Sequence, residues 1–421
     1  MEFGPILRAI RRNKVRYGLI VAEIALTLAI VVNCINMIRE ARREMAIESG
    51  FDDANILSVR STPFDEAFRD AGYRDNEVHR DMDVLRRIPG VKAVSNSRFL
   101  PWQGGGSSME TRPLGSKGKM LRNQVYNADE GTLDALGAML VEGRNFTRDE
   151  TDAETVRMRN ALAANRPVGS DSRPRDKLSQ DVVISKAFAN LLFSDGKALG
   201  KQLEDEDGDQ YVVVGVIDRF YNPYGWPIHE YVMFFAGRAH SFEGGAPYLL
   251  RVEPGQSRAV QAAIEKTLTS ANNGRNVKVT PLPEIKQRFQ STSALLVRIL
   301  SLVIALLVFV TSLGIVGMTV FSVAERTRQI GTRRALGAQK TDILRYFLLE
   351  NWLLTGMGLV LGSLCAFGLN ILLVSKLSGT RIAPELVLGG VLCLWAAGLA
   401  ATFFPALKGV RVPPAVATRN I

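Results

Sequence analysis

Four stretches of this sequence are long and apolar enough to cross a bilayer, and their uneven spacing dictates the architecture. They run from Tyr17 to Met37, Leu300 to Val323, Trp352 to Val374 and Leu386 to Phe404, each near the ~20 residues a helix needs to traverse ~30 Å of hydrocarbon. The first stands alone near the start of the chain, and the other three crowd its end. Between the first and second lies the long segment Arg39 to Gln290, which holds no comparable window. It alternates short strand-like runs, turns and amphipathic helices, as a folded aqueous domain does. The predicted fold is therefore a membrane protein of four transmembrane α-helices, with a large α/β domain inserted between helices 1 and 2.

Charge orients that arrangement. The formal net charge of +10 would suit a nucleic-acid partner, but the segment Arg39 to Gln290 is close to neutral. The excess sits in three short segments: Arg8, Arg11, Arg12, Lys14 and Arg16; Arg326, Arg328, Arg333, Arg334, Lys340 and Arg345; and Lys408, Arg411 and Arg419. All three fall on one side of a four-span chain, and the opposite short loop, Ser375 to Pro384, holds only Lys376 and Arg381. The positive-inside rule then makes both termini and the middle loop cytoplasmic and the large domain external. The basicity is a topology signal toward membrane lipid, and no nucleic-acid partner is expected.

Eight regions follow. Residues 1–16 form a cytoplasmic amphipathic helix, with Phe3, Ile6, Leu7 and Ile10 opposite the basic face; a cleaved signal peptide is the rival, disfavoured by the long apolar run and the charged helical sequence after it. Residues 17–50 carry the first transmembrane helix and a stalk, 51–282 the α/β domain, and 283–323 a second stalk and helix. A cytoplasmic segment occupies 324–350, the remaining spans 351–374 and 385–404, and a cytoplasmic tail 405–421. The apolar rhythm runs past the bilayer in both stalks, through Leu28, Val31, Ile35, Ile38 and Met45 and through Ile285, Phe289, Thr292, Leu296, Ile299 and Val303. Within the domain, strands are predicted at 55–60, 91–100, 124–128, 139–142, 181–184, 211–217, 231–235, 248–252 and 277–280, and helices at 77–88, 131–136, 186–193 and 257–269. Elements at both ends flank a middle region, about 101–210, read as a second subdomain inserted into the first. Gly104 to Lys119 and Arg148 to Lys177 read as flexible, and Asp207-Gly208 as a hairpin turn.

The stretch Ser322 to Glu350, SVAERTRQIGTRRALGAQKTDILRYFLLE, sits between two spans and carries a dense set of cations. It reads as a short basic helix broken at Gly337, with a second helix starting at Thr341 and Asp342. It resembles a signature segment of the MacB/FtsX-type permeases, membrane subunits of ABC transporters. The match runs through Glu325, Arg326, Arg328, Ile330, Gly331, Arg333, Arg334, Ala335, Gly337 and Ala338. IPGVKAVSNSRFLP, LGAMLVEGRNFTRDE, DVVISKAFANLLFSDGKALGKQL and YVVVGVIDRFY are similar to successive landmarks of the periplasmic core domain of MacB-type members. The similarity covers roughly residues 15 to 418, with Arg148 to Lys177 the least familiar part.

That resemblance implies a non-catalytic permease subunit in a bacterial inner membrane. Its loop would couple to a cytoplasmic ABC ATPase dimer that holds ATP and Mg, and movement would pass through the stalks to the outer domain to drive export of a periplasmic substrate. A second permease, identical or a sister chain, a periplasmic adaptor and an outer-membrane channel are the implied partners. Glu325, Arg326, Arg328, Ile330, Gly331, Arg333, Arg334, Leu336 and Gly337 would form the coupling site, with Arg328, Arg333 and Arg334 facing the ATPase and Ile330 and Leu336 filling its apolar cleft. A lipoprotein-releasing permease and an FtsX-like signalling subunit that activates a hydrolase are the alternatives.

The residues themselves offer no catalytic set. No G-x-x-x-x-G-K-[ST] occurs: Gly118-Lys119, Gly196-Lys197 and Gly200-Lys201 are followed by Met, Ala and Gln. His79, His229 and His240 have no helical-spacing partners, and the acidic run Glu204 to Asp209 lacks a calcium-loop register, so no metal is expected. Cys34, Cys365 and Cys393 all fall in spans, leaving the outer domain without disulfides. Glu23 and Arg298 are ionisable residues within or beside the membrane, and Glu23 is a candidate to pair with a loop arginine. Gly314 and Gly317 thin the second span, and Gly358 and Gly362 form a G-x-x-x-G in the third. Spacing leaves open whether those glycines pack within one chain or across a dimer.

Overall fold

A computed structural model of the chain describes residues 13–97, 102, 107–163, 180–223, 228–239, 246–377 and 381–410. The predicted amphipathic segment before residue 13 and His240 lie outside them. The chain divides into two compact units, residues 1–46 with 292–421, and residues 47–291.

Four helices are long and apolar enough to span a membrane: α1 (Lys14–Ala46), α7 (Leu282–Glu325), α9 (Lys340–Leu377) and α10 (Pro384–Val410). The intervening labels belong to the second unit and to a short helix, α8 (Thr327–Ala335). α7 is continuous for 44 residues, so at 1.5 Å per residue it extends about 66 Å, roughly twice the hydrocarbon thickness. α1 is the most buried of the four and α7 the least.

Small residues explain how α1 comes to lie at the centre. A Cβ on Gly358 of α9 would sit 2.8 Å from the Ile24 side chain, and one on Gly362 would sit 2.8 Å from the Ala25 carbonyl oxygen. The G-x-x-x-G thus packs within one chain, against α1. Gly390 of α10 receives the Val32 side chain, 2.7 Å from its would-be Cβ, and Thr27 and Thr311 share a 2.7 Å hydrogen bond between α1 and α7. Ile24, Leu28, Val32, Ile315, Leu359 and Leu394 fill the space between. Gly314 lies under the Glu23 carboxylate, whereas Gly317 faces open space and thins no contact among the described residues. Gly362→Val is expected to destabilise the bundle by ~1–3 kcal/mol, because the added methyls meet α1 backbone that has no room to yield. Gly317→Ala serves as the neutral comparison; unfolding midpoints of the detergent-solubilised chain check both.

The second unit contains two sheets. The smaller has the order β11 (Arg275–Pro281), β1 (Ile56–Pro63), β10 (Ala246–Val252), β2 (Val91–Ser95), all antiparallel. The period-two alternation of β1 and β10 sends Leu57, Val59, Tyr248 and Leu250 to one face, where Val78, Met82 and Leu85 of α2 (Ala71–Arg86) and Val260, Ile264 and Leu268 of α6 (Ser257–Ala271) cover them. Ile56 and Leu249, on the opposite face, join Leu133 and Leu136 of α3 (Thr132–Leu136) in another core. The N-cap of α2 is Asp70, whose side chain accepts from the Tyr73 amide.

The larger sheet orders β5 (Leu140–Gly143), β8 (Gln210–Ile217), β6 (Gln180–Ser185), β9 (Val232–Ala236), β4 (Leu121–Ala128), β3 (Ser107–Pro113) and β7 (Gln202–Asp205). β7 also pairs with β8, so six of these strands close on themselves and leave few free edges. α5 (Lys186–Leu192) packs Phe188 and Ala189 into this sheet's core.

Three expectations need correction here. The inserted subdomain runs on to Ala236 rather than ending near residue 210, because β8 and β9 complete the larger sheet and the chain returns to the smaller one only at β10. Gly104 to Lys119 contains β3, ordered by pairing with β4 on one side and β7 on the other. Arg148 to Lys177 begins with a helix, α4 (Arg148–Ala163). Its start is a capping box: the Glu150 amide donates to Thr147 Oγ1 at 3.3 Å, and the Thr147 amide to Glu150 Oε2 at 2.8 Å.

Candidate functional site

α7 ends at Glu325 and α8 begins two residues later. The turn between them is held by one residue, Arg326. Its guanidinium donates to both oxygens of Glu350 on α9 at 3.0 Å, to Tyr346 Oη at 2.9 Å and to Tyr17 Oη at 3.2 Å. Tyr17 in turn donates to Glu350 Oε1 at 2.8 Å. Glu350 is 5% exposed and Arg326 16%, so the pair is shielded from water and two-pronged, the geometry in which an arginine–carboxylate contact is strongest. Beside it Arg16 donates to Glu325 at 3.1 Å and lies 4.1 Å from the Phe321 ring centroid. Three membrane helices, α1, α7 and α9, are thereby locked where α8 begins.

α8 is seated by its apolar side. Ile330 is buried with Ile343 and Phe347 of α9 and Ala406 of α10, and Gly331 beside it is also buried. The expectation that Ile330 fills a partner's cleft is overturned, since the chain's own helices already surround that side chain. The opposite side is open: Arg328, Thr332 and Arg333 are exposed, and Leu336 is 84% exposed. Arg333 also reaches back, its guanidinium 5.5 Å from the Tyr346 ring. Arg334 lies on α8, and its side chain is outside the described set.

Gly337 then ends the segment at φ +97°, a conformation that costs glycine nothing. The amide of Ala338 closes a hydrogen bond of 3.0 Å to Arg333 O, as in a Schellman end. α9 starts with the reverse device, Asp342 Oδ2 accepting from the Gln339 amide at 2.9 Å. Asp342 therefore caps backward from within the helix and is not the N-cap itself.

The predicted site residues thus separate. Glu325 and Arg326 are consumed by contacts inside the chain, and Ile330 and Gly331 by its core. Arg328, Arg333 and Leu336 remain on the surface. Glu23 makes no ion pair among the described residues; it lies against Gly314, while Arg16 pairs with Glu325 and Arg326 with Glu350. Arg298 is exposed on α7. The sequence reading missed Tyr17, Tyr346 and Glu350. Glu350 carried one usable signal, a lone carboxylate at the head of an apolar run.

Comparison with known proteins matches the profile of the MacB-like periplasmic core domain to residues 19–267 and that of the FtsX-like permease C-terminal region to residues 301–414. The macrolide export ATP-binding/permease protein MacB of Chromobacterium violaceum is 24% identical over 98% of this chain and 61% of its own length. The chain thus spans about three fifths of that relative. The uncharacterized ABC transporter permease YvrN of Bacillus subtilis is 27% identical over 70% of each chain. Among solved structures, the periplasmic region of MacB from Actinobacillus actinomycetemcomitans aligns over 57% of this chain and 94% of its own, at 14% identity and a TM-score of 0.35.

Proposed function

We propose, since this chain belongs to the family of ABC transporter permeases with a MacB-like periplasmic core domain and an FtsX-like C-terminal region, that it is a mechanical subunit coupling a separate ATPase to that domain. ATP and Mg bind the partner ATPase dimer, whose closure on nucleotide draws together the α8 segments of two permease copies or sister chains. The movement passes along α1 and α7 to the α/β domain, which acts on a periplasmic substrate. An adaptor and an outer-membrane channel carry the substrate onward. In this reading α8 and both termini face the cytoplasm of a bacterial inner membrane, in keeping with the cations of Arg16, Arg328 and Arg333.

One observation carries the reading. α8 buries Ile330 within the chain and anchors its start through Arg326, yet presents Arg328, Arg333 and Leu336 outward. A helix gripped this firmly on one side transmits a push to three membrane helices rather than bending away. An exposed leucine flanked by unburied cations fits an acidic, apolar-lined groove.

The test uses the full chain copurified with its ATPase in lipid nanodiscs. Arg328→Glu with Arg333→Glu is expected to weaken association at least tenfold, about 1.4 kcal/mol, and to lower ATP turnover in step. Charge reversal of Lys266, exposed on α6, leaves both unchanged. Undiminished association in the double variant rules the coupling role out. Thiol labelling of Arg333→Cys and Lys266→Cys from opposite sides of the membrane checks the orientation.

A further inference from the structure

At the end of the bundle that carries α8, helices α9 and α10 leave an apolar groove of about 370 Å³. Leu344, Leu348, Leu349, Trp352 and Leu399 line it, with Arg345 at its mouth. Thr341, Arg345, Leu348 and Trp352 follow one another at three- and four-residue steps, so they form a single stripe on α9. From Thr341 to Trp352 the stripe extends about 16 Å, from the loop end of α9 to the start of its uninterrupted apolar run at Trp352. It is graded along that length: a hydroxyl and a guanidinium nearest the loop, then leucines, then the Trp352 indole, whose ring centroid lies 5.3 Å from that of Trp395.

Because α9 and α10 are membrane-spanning helices, a groove on their outer surface is filled by whatever the bilayer supplies. Its apolar wall suits an acyl chain. Arg345 both lines the groove and is exposed, and a cation at the edge of an apolar channel complements an anionic headgroup. We propose that this groove is a binding site for one anionic phospholipid, its tail along Leu344, Leu348 and Trp352 and its phosphate on Arg345. The site needs only the membrane-spanning character of α9 and α10, so it stands or falls independently of ATPase coupling.

The test places the full chain, with Trp102, Trp226 and Trp395 replaced by phenylalanine, in phosphatidylcholine nanodiscs doped with a brominated-acyl lipid. Trp352 fluorescence is expected to be quenched by brominated phosphatidylglycerol at about a fivefold lower mole fraction than by brominated phosphatidylcholine, the preference one arginine near an anionic surface confers. Arg345→Gln is expected to abolish that preference while quenching by both lipids persists. Equal quenching by the two lipids in the parent, or a preference that survives Arg345→Gln, overturns the proposal. Absence of quenching by either also overturns it, because the groove is then covered by protein, whether a second copy or another segment of this chain. Should the tryptophan replacements not yield a monodisperse protein, native mass spectrometry of the unaltered chain and Arg345→Gln reads the same difference. The parent retains phosphatidylglycerol and the variant loses it, and equal retention refutes the site.

Discussion

Arg326→Met is expected to lower the stability of the helical bundle by about 3 kcal/mol. Removing the guanidinium leaves the Glu350 carboxylate, 5% exposed, with Tyr17 as its remaining donor among the described residues. Stranding one partner of a buried ion pair costs roughly 3–5 kcal/mol, and the partial exposure of Arg326 places this case at the low end. The double replacement Arg326→Met with Glu350→Met is expected to recover much of the loss, since no buried charge is left and two thioether chains can fill the volume. Unfolding midpoints of the detergent-solubilised chain measure both. On the proposed coupling role, ATP turnover by a partner ATPase should also fall in the single variant although Arg328 and Arg333 are intact. A single variant as stable as the parent, or a double variant no better than the single, would show that the pair does not hold the turn.

Arg275→Leu is the second large effect, and it is confined to the α/β domain. Arg275 on β11 grips Asp81 of α2, the second of its two contacts at 2.7 Å, with both side chains 1% exposed. Tyr248 on β10 donates to the same carboxylate at 2.6 Å. Helix and sheet are thereby pinned through one buried charge. Its loss is expected to cost about 3–5 kcal/mol, a fall of roughly 6–20 °C in the melting temperature of a domain this size. The pH dependence identifies the cause. Burial pushes the Asp81 carboxyl above its ordinary range, and without Arg275 that effect is opposed chiefly by the Tyr248 hydrogen bond. A raised folded pKa means the folded state binds the proton more tightly, so the variant gains stability as pH falls toward and below that value and loses it as pH rises. Melting curves at pH 5 and pH 8 should therefore converge on the parent at the lower pH. Leucine at both 81 and 275 should melt above the single variant; if it does not, packing rather than charge is what Arg275 supplies.

Much of the architecture was readable along the chain because its signals are local. An apolar run of bilayer length states its own role, and the cations beside Ser322 state which side they occupy. Strands such as Tyr211 to Ile217 announce themselves by composition, and Thr147 with Glu150 even offered a capping box that the polarity of the following helix obscured. β3 was hidden by the glycines around it and the serines at its start, since its order comes from two neighbours, one of them about ninety positions away.

The sequence alone determined the four spans, the domain between the first two, and a basic glycine-broken segment joining the second and third. Tertiary structure alone decided what each residue of that segment does. Arg326 and Arg333 are equivalent in a row of letters, but one is spent on Glu350 and the other faces water. Ile330 and Leu336 are both apolar helix residues, yet only the first meets Phe347 and Ala406. Gly358 and Gly362 could serve any close helix contact by spacing alone, and the fold sets Ile24 against the first and Ala25 against the second. The physical reason is that hydropathy and charge act residue by residue against the solvent, whereas burial and pairing depend on which distant side chain arrives to exclude that solvent.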